Sequence, residues 1–104
     1  MQLVQYISAH REYFVLTGDF NATPEAREIK LITDALAHRG TVDCTADLGG
    51  TFHDFGRLLP DRTIKIDYIF TDAPCISSYV VEDIPVDGQY YSDHNAVCAM
   101  IEFA

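Results

Sequence analysis

Six polar side chains carry the chemistry that this sequence offers. They lie in four short clusters along the chain and are Asp19, Asn21, His53, Asp67, Asp93 and His94. Carboxylates bind hard cations and accept protons, an amide is both a donor and a neutral acceptor, and a histidine changes its charge near neutral pH. Together these groups suit the binding of a cation or a phosphate, provided that the fold brings them to one place.

The first cluster follows the short apolar stretch Val-Leu-Thr at positions 15–17 and ends with Asp19 and Asn21. A buried strand that stops at Gly18 would place both side chains on the same side of a sheet rim, because side chains alternate along a strand. Phe20 would then point back into the core. The structural alternative is an Asx turn that only ends the strand.

The other clusters also have structural alternatives. His53 lies in the glycine-bounded loop 49–56; such loops collect binding groups, which makes His53 a candidate for substrate contact, although most of them are connectors. Asp67 lies inside the alternating run 63–71, where an ion pair with Lys65 on the same face is the alternative. The pair Asp93-His94 precedes a strand and could be only a hydrogen-bonded turn.

Composition limits the size and the partners of the protein. With 104 residues, 48% of them apolar and 22% charged, residues 1–104 are expected to form one small globular domain. Seven basic and 16 acidic residues give a net charge of −9. Strong non-specific affinity for nucleic acid or anionic membranes is therefore not expected. A phosphate substrate is not excluded, since a bound divalent cation reverses the local field.

The sequence gives few indications of location. No apolar run approaches the ~20 residues of a membrane span, and no signal peptide is evident, so a cytoplasmic location is the default expectation. Cys44, Cys75 and Cys98 are an odd number without Cys-x-x-Cys spacing. Buried free thiols are therefore expected rather than zinc ligands or disulfides.

Periodicity and capping residues predict the elements that would position the six side chains. Helices are predicted over 1–10 and 24–39, the second with Thr23 as its N-cap and Gly40 as its stop. Strands are predicted over 13–17, 63–71, 76–81 and 96–103, and segment 41–47 is ambiguous. In the run 63–71, residues 64, 66, 68 and 70 share one face. Asp19, Asn21, Asp67, Asp93 and His94 are then expected at one edge of a single sheet.

The motifs Gly-Asp-Phe-Asn, Ile-Asp-Tyr-Ile and Ser-Asp-His, in this order, resemble the C-terminal half of the endonuclease/exonuclease/phosphatase superfamily. Asn-Ala-Thr-Pro and Gly-Thr-Phe-His-x-Phe also look like family sequences. Members of the superfamily hydrolyse phosphoesters with Mg²⁺ or a similar ion. The resemblance implies an α+β fold with a mainly antiparallel sheet covered by helices, about half of a four-layer α/β/β/α sandwich.

The resemblance also implies a role for each matched residue. Asp19 would orient or deprotonate the attacking water, and Asn21 would hold a phosphate oxygen. Asp67 would hydrogen-bond His94, whose imidazolium would stabilise the pentacovalent phosphate. Asp93, with Asp19 and Asn21, would hold Mg²⁺ or Mn²⁺, directly or through water.

The sequence departs from the family in ways that leave two functions open. The asparagine and the metal-binding glutamate of the family's first half have no counterpart here, and Lys65 stands where the family often has arginine. One function is a divalent-metal-dependent phosphoester hydrolase, present as an incomplete fragment. The other is a non-catalytic remnant that keeps the fold and weak metal or phosphate binding.

Substrate class and assembly are left open as well. The excess of acidic residues favours substrates with small or lipid head groups over long DNA. A half-sandwich would leave one sheet face bare, so a homodimer through that face, or pairing with a missing N-terminal half, is expected.

Overall fold

The computed structural model describes residues 2–103, which form two antiparallel sheets and two α-helices. The elements in chain order are α1 (Gln2–Ala9), β1 (Val15–Asp19), α2 (Arg27–Ala35), β2 (Val42–Asp43), β3 (Asp67–Thr71), β4 (Cys75–Val81) and β5 (Ala96–Ile101). Short 3₁₀ turns cover Ala37–Arg39 and Pro60–Arg62. The α+β class predicted from the sequence is confirmed. Helix α1 agrees with its prediction over 2–9, and Met1 lies outside the described residues.

The first sheet has the order β1-β3-β2, with β3 in the centre. The predicted strand 63–71 is too long, because the ladder begins at Asp67. Ile64 instead exchanges backbone hydrogen bonds with Phe52. The first part of the run therefore pairs with loop 49–56, and only the second part joins the sheet.

The main core lies between α2 and one face of this sheet. Ile29, Ile32 and Leu36 are buried against the rings of Tyr68 and Phe70, which stack with centroids 5.3 Å apart. The helical spacing of the first three residues and the two-residue spacing of the rings are what bring these faces together. The predicted apolar face of the 63–71 run is thus correct for its two aromatic members.

The predicted start of the second helix is wrong. Thr23 accepts a backbone hydrogen bond from Ala26, and this turn precedes the helix, whose N-cap is Ala26. The segment before the helix is bound to β3 instead, since the Ala22 carbonyl accepts a 2.6 Å hydrogen bond from the Tyr68 hydroxyl. The α-helix ends at Ala35, before the predicted end at residue 39, and a 3₁₀ turn continues to Gly40, whose φ of 74° lies in the left-handed region that favours glycine.

The second sheet pairs β4 with β5. Both strands lie within one or two residues of their predicted bounds. The three cysteines are free thiols, as expected, but they are half-buried rather than buried. Among residues 2–103 no helix is long and apolar enough to cross a membrane.

Arg39 ties the N-terminal segment to the first sheet. Its side chain is 11% exposed, and it contacts the Asp72 carboxylate at 3.0 Å. It also donates to the backbone carbonyls of Ile7, His10 and Glu12. One buried guanidinium thus satisfies several acceptors at the end of α1 and in the segment that leads to β1.

Replacing Arg39 should therefore destabilise the fold. The substitution Arg39→Leu removes the charged donor from a largely buried carboxylate and three carbonyls, so the free energy of unfolding should fall by about 3 kcal/mol. Urea unfolding followed by circular dichroism measures the change. The control is Arg62→Leu, because the side chain of Arg62 is 77% exposed and its contact with Asp61 is long, at 4.0 Å. An equal loss in both variants would contradict the structural role of Arg39.

Candidate functional site

The register between β1 and β3 places two carboxylates side by side. Asp19 is the last residue of β1 and Asp67 is the first residue of β3, and the two are direct partners in the antiparallel ladder. The end of one strand and the start of its antiparallel neighbour lie at the same edge of a sheet. This edge is where the candidate site forms.

Loop 49–56 brings the third group to this edge. Phe52 forms isolated bridges with both Ile64 and His94, so one residue connects the segment before β3 to the segment before β5. The candidate site therefore lies where the two sheets meet. The expectation that it would lie at the edge of a single sheet is wrong, because His94 and Asp67 belong to segments of different sheets.

Thr51 supports this junction and was not singled out from the sequence. Its side chain is fully buried, and its hydroxyl oxygen accepts hydrogen bonds from the backbone N–H groups of Ile66 and Asp67, at 3.1 and 3.3 Å. Its carbonyl oxygen accepts from the N–H of Asn95 at 2.6 Å. One residue thus fixes the backbone on both sides of the cluster. The signal available in the sequence was the loop's Gly-Gly-Thr-Phe-His pattern.

His94 lies among three carboxylates. Its Nδ1 is 2.6 Å from Oδ2 of Asp67, which is the contact predicted between these two residues. Its Nε2 is 3.5 Å from Oδ2 of Asp19 and 3.6 Å from Oδ1 of Asp93. One ligand atom from each of Asp19, Asp67 and His94 lies within 4.8 Å of the others. The described residues therefore contain one compact acidic and imidazole cluster, which we call the carboxylate–histidine cluster.

The surroundings of His94 favour its charged form. Partial burial lowers the pKa of the imidazole, but the hydrogen bond and charge of Asp67, with the charges of Asp93 and Asp19, outweigh it. The pKa is therefore raised above its ordinary value of 6.5. A raised folded-state pKa means that this interaction stabilises the fold fully below pH 6.5, and the contribution disappears as the pH rises through the folded-state pKa.

Asn21 reaches the cluster through its backbone. Its N–H donates to Oδ1 of Asp19 at 2.8 Å, and its φ of 51° lies in the left-handed region. This is the Asx turn that the sequence left as an alternative. The expectation that Asp19 and Asn21 would extend from one strand on the same side is wrong, because β1 ends at Asp19. Phe20 does point into the core, where it packs edge-on against Tyr68 and Phe70.

His53 and Lys65 make contacts outside the cluster. His53 is 5% exposed, and its ring faces Asp83 and Tyr90 rather than His94. The ammonium of Lys65 pairs with Asp43 at 3.2 Å and donates to the backbone carbonyl of Asp67, not to its carboxylate. The carboxylate of Asp67 is therefore free to bind His94.

Two sheets meet at this cluster, and a helix covers one face of the first sheet. The sequence pattern of the Endonuclease/Exonuclease/phosphatase family matches residues 1–94, and the chain belongs to this family. The family recognised from the three motifs is thereby confirmed.

A solved structure carries the same fold. It is the crystal structure of the endonuclease/exonuclease/phosphatase from Bacteroides vulgatus, which is 28% identical and superimposes with a TM-score of 0.83. The match covers 99% of this chain and 42% of the Bacteroides chain, so the present chain spans less than half the length of that protein. No curated protein matches the chain.

The charge of His94 can be tested directly. The substitution Asp67→Asn removes the hydrogen-bonded carboxylate, so the pKa of His94 should fall relative to the unchanged chain. Titration of the imidazole signals by NMR measures both values. Asp61→Asn, on the exposed turn 60–62, is the matched control and should leave the titration unchanged. A His94 pKa that is the same in all three proteins would show that Asp67 does not hold the charge.

Proposed function

We propose that this chain supplies the reacting groups of a divalent-metal-dependent phosphoester hydrolase. The observation that carries the proposal is the position of His94, with Nδ1 bound to Asp67 and Nε2 between Asp19 and Asp93. Phosphoester hydrolysis needs a positioned water and positive charge facing the phosphoryl oxygens, with little covalent work by the protein. The cluster offers groups for both tasks.

In this proposal, His94 stabilises the charge that develops on the phosphoryl group. Asp67 accepts the Nδ1–H bond and thereby fixes the orientation of the ring and favours the imidazolium. The distances from Nε2 to Asp19 and Asp93 exceed hydrogen-bonding range, so the Nε2–H remains available to a phosphoryl oxygen. The ring thus donates to substrate at one nitrogen while it is held at the other.

Asp19 is the proposed base or orienting group for water. Its side chain is 49% exposed, and one oxygen is held by the N–H of Asn21, so the carboxylate is both accessible and oriented. It faces the same nitrogen of His94 that would contact the phosphate. A water bound to Asp19 would therefore lie close to the phosphorus. Asn21, in the same turn, is proposed to hold a phosphate oxygen through its amide.

The donor atoms of the cluster fit a hard divalent cation in part. Carboxylate oxygens are the ligands that Mg²⁺ and Mn²⁺ prefer, and Asp19 and Asp93 offer them beside His94, with Asn21 next to Asp19. Asp67 is less suitable as a ligand, because its Oδ2 already accepts a hydrogen bond from His94. When bound, the ion would neutralise phosphoryl charge and polarise the phosphorus–oxygen bonds.

So small a set of carboxylates is expected to bind the ion weakly. Mg²⁺ held by two carboxylates keeps most of its water. The chain also spans less than half of the Bacteroides protein, so further ligands could come from residues that this chain does not contain. We therefore expect slow turnover from the chain alone. The second candidate function, a non-catalytic remnant with weak metal or phosphate binding, predicts ion binding without turnover.

Hydrolysis of bis-p-nitrophenyl phosphate and nicking of plasmid DNA, with Mg²⁺ or Mn²⁺ present, test the proposal. We expect slow metal-dependent release of p-nitrophenol, reduced about 100-fold or more by Asp19→Asn or His94→Gln. Plasmid DNA should be the poorer substrate because of the acidic surface. The control Asp61→Asn changes an exposed carboxylate outside the cluster and should retain the rate.

Two outcomes would change the assignment. Rapid turnover that Asp19→Asn abolishes would confirm the chemistry and contradict the expected incompleteness. If Mn²⁺ broadens the NMR signals of residues 19 and 93 but no preparation hydrolyses the ester, the non-catalytic alternative is correct.

We also propose that two copies associate through one face of β4 and β5. Tyr79 and Val81 lie two residues apart on β4, and Met100 lies opposite Ser77 on β5, so the three side chains share a face. They are 57%, 49% and 62% exposed.

The central strand of the first sheet, β3, is not proposed as the interface. Its residue Ile69, on the face opposite the core, is already buried. Val15 and Val42, at the edges of that face, are 42% and 49% exposed, but the buried Ile69 lies between the two edge strands, so the proposed interface is placed on the second sheet.

Light scattering at micromolar concentration should report a homodimer. Val81→Glu and Met100→Glu place charges in the proposed interface and should give monomers. Ile84→Glu is the matched control, because Ile84 is 72% exposed in the loop after β4. A monomer in the unchanged chain would contradict self-association and leave this face to another polypeptide, such as one that supplies the other half of the fold.

A further inference from the structure

A second cleft lies beside the one that contains Asp67 and His94. Its volume is about 420 Å³, and that of the neighbouring cleft is about 540 Å³. Glu82, Asp83 and Asn95 line both, so they form a shared boundary. The two clefts are therefore adjacent, and a ligand with its phosphate at His94 enters the second cleft by passing these three residues.

The second cleft contains a buried donor without a partner. His53 is 5% exposed, and its Nδ1 accepts a 3.0 Å hydrogen bond from the backbone N–H of Gly56. A nitrogen that accepts from an N–H carries no proton, so the neutral ring must carry its proton on Nε2. Within residues 2–103, Nε2 is buried and has no hydrogen-bond partner. A buried donor of this kind is costly unless a ligand satisfies it.

An oriented acceptor lies close to this donor. Oδ2 of Asp83 is 3.6 Å from Nε2 of His53, which is too far for a direct hydrogen bond. The position of Asp83 is fixed, because its N–H donates to Asn95 at 2.8 Å and its Oδ2 accepts from the N–H of Ser92 at 3.1 Å. A hydroxyl oxygen beside this pair, about 2.8 Å from each atom, can accept from Nε2–H and donate to the carboxylate.

The remaining wall favours a neutral ligand. Leu48 and Val80 contribute apolar surface, and the ring of Tyr90 lies 4.9 Å from the ring of His53. Glu82 and Asp83 contribute negative charge, and no Lys or Arg is found among the described residues that line the cleft. A second phosphate or another anion would be repelled there.

We propose that this cleft binds a hydroxyl group of the substrate's alcohol portion, so that the substrate is the phosphate ester of a neutral polyhydroxy alcohol such as a sugar or polyol. This inference rests on the proposed function, because it takes the phosphate to lie at His94. His53 and Asp83 then act as a pair that recognises the alcohol. Neither residue takes part in the hydrolysis.

Two phosphate esters with the same carbon skeleton test the inference. Glycerol 1-phosphate and propyl phosphate differ only in two hydroxyl groups, and calorimetry with Mg²⁺ present gives their affinities. We expect the glycerol ester to bind about tenfold more tightly, since the ester without hydroxyls leaves His53 and Asp83 unpaired. His53→Phe keeps a planar ring and removes the donor, so the preference should be lost.

Two further variants make the test specific. Asp83→Asn removes the charged acceptor and should also reduce the preference, which keeps the test decisive if His53→Phe does not fold. His38→Phe is the matched control, because His38 is an exposed histidine of the 3₁₀ turn after α2. It should retain the full preference. Equal affinities for the two esters in the unchanged chain would overturn the inference while the proposed function stands.

A phosphate-free measurement separates the two proposals. Glycerol should shift the Nε2–H signal of His53 in NMR spectra, and 1-propanol should not. If neither ester binds but glycerol still shifts this signal, the proposed function fails and the polyol site is retained. If neither ester binds and glycerol causes no shift, both proposals fail.

Discussion

The hydrogen bond between Asp67 and His94 is the contact on which the candidate site depends. It joins the first residue of β3 to the segment before β5, and these belong to different sheets. The same contact helps to keep His94 charged, because the carboxylate raises the pKa of the imidazole more than partial burial lowers it. This pair thus helps both to link the two sheets and to keep His94 charged.

Loop 49–56 makes this pair possible and serves two clefts. Thr51 and Phe52 bind the backbone of both sheets and so fix the distance between Asp67 and His94. The next residue, His53, turns its ring into the neighbouring cleft, where Gly56 holds one nitrogen. Consecutive residues of one short loop therefore support the cluster and line the space beside it.

Two of the seven basic residues of the chain have structural roles. Arg39 fixes the N-terminal segment, and Lys65 is buried between Asp43, Thr45 and the ring of Tyr68. Neither faces the carboxylate–histidine cluster. The cluster is therefore acidic apart from His94, and this is why a divalent cation, rather than arginine or lysine, is the proposed source of charge for a phosphate.

The sequence by itself determined the fold class, the family and the identity of the groups that could react. Those properties depend on local patterns, such as the alternation that buries Tyr68 and Phe70 and the short motifs around Asp19, Asp67 and His94. The sequence also predicted the partner of His94. Helix and strand ends were less accurate, because tertiary contacts at Ala22 and Phe52 compete with local capping and alternation.

Only the tertiary structure decided which groups meet. The choice of Asp43 as the partner of Lys65 and the packing of the His53 ring against Asp83 and Tyr90 depend on residues far away in the chain. A side chain's partner is set by the packing and hydrogen bonds of the whole fold, and spacing along the chain does not contain that information. For this reason the sequence named the site residues but could not place them at the junction of two sheets.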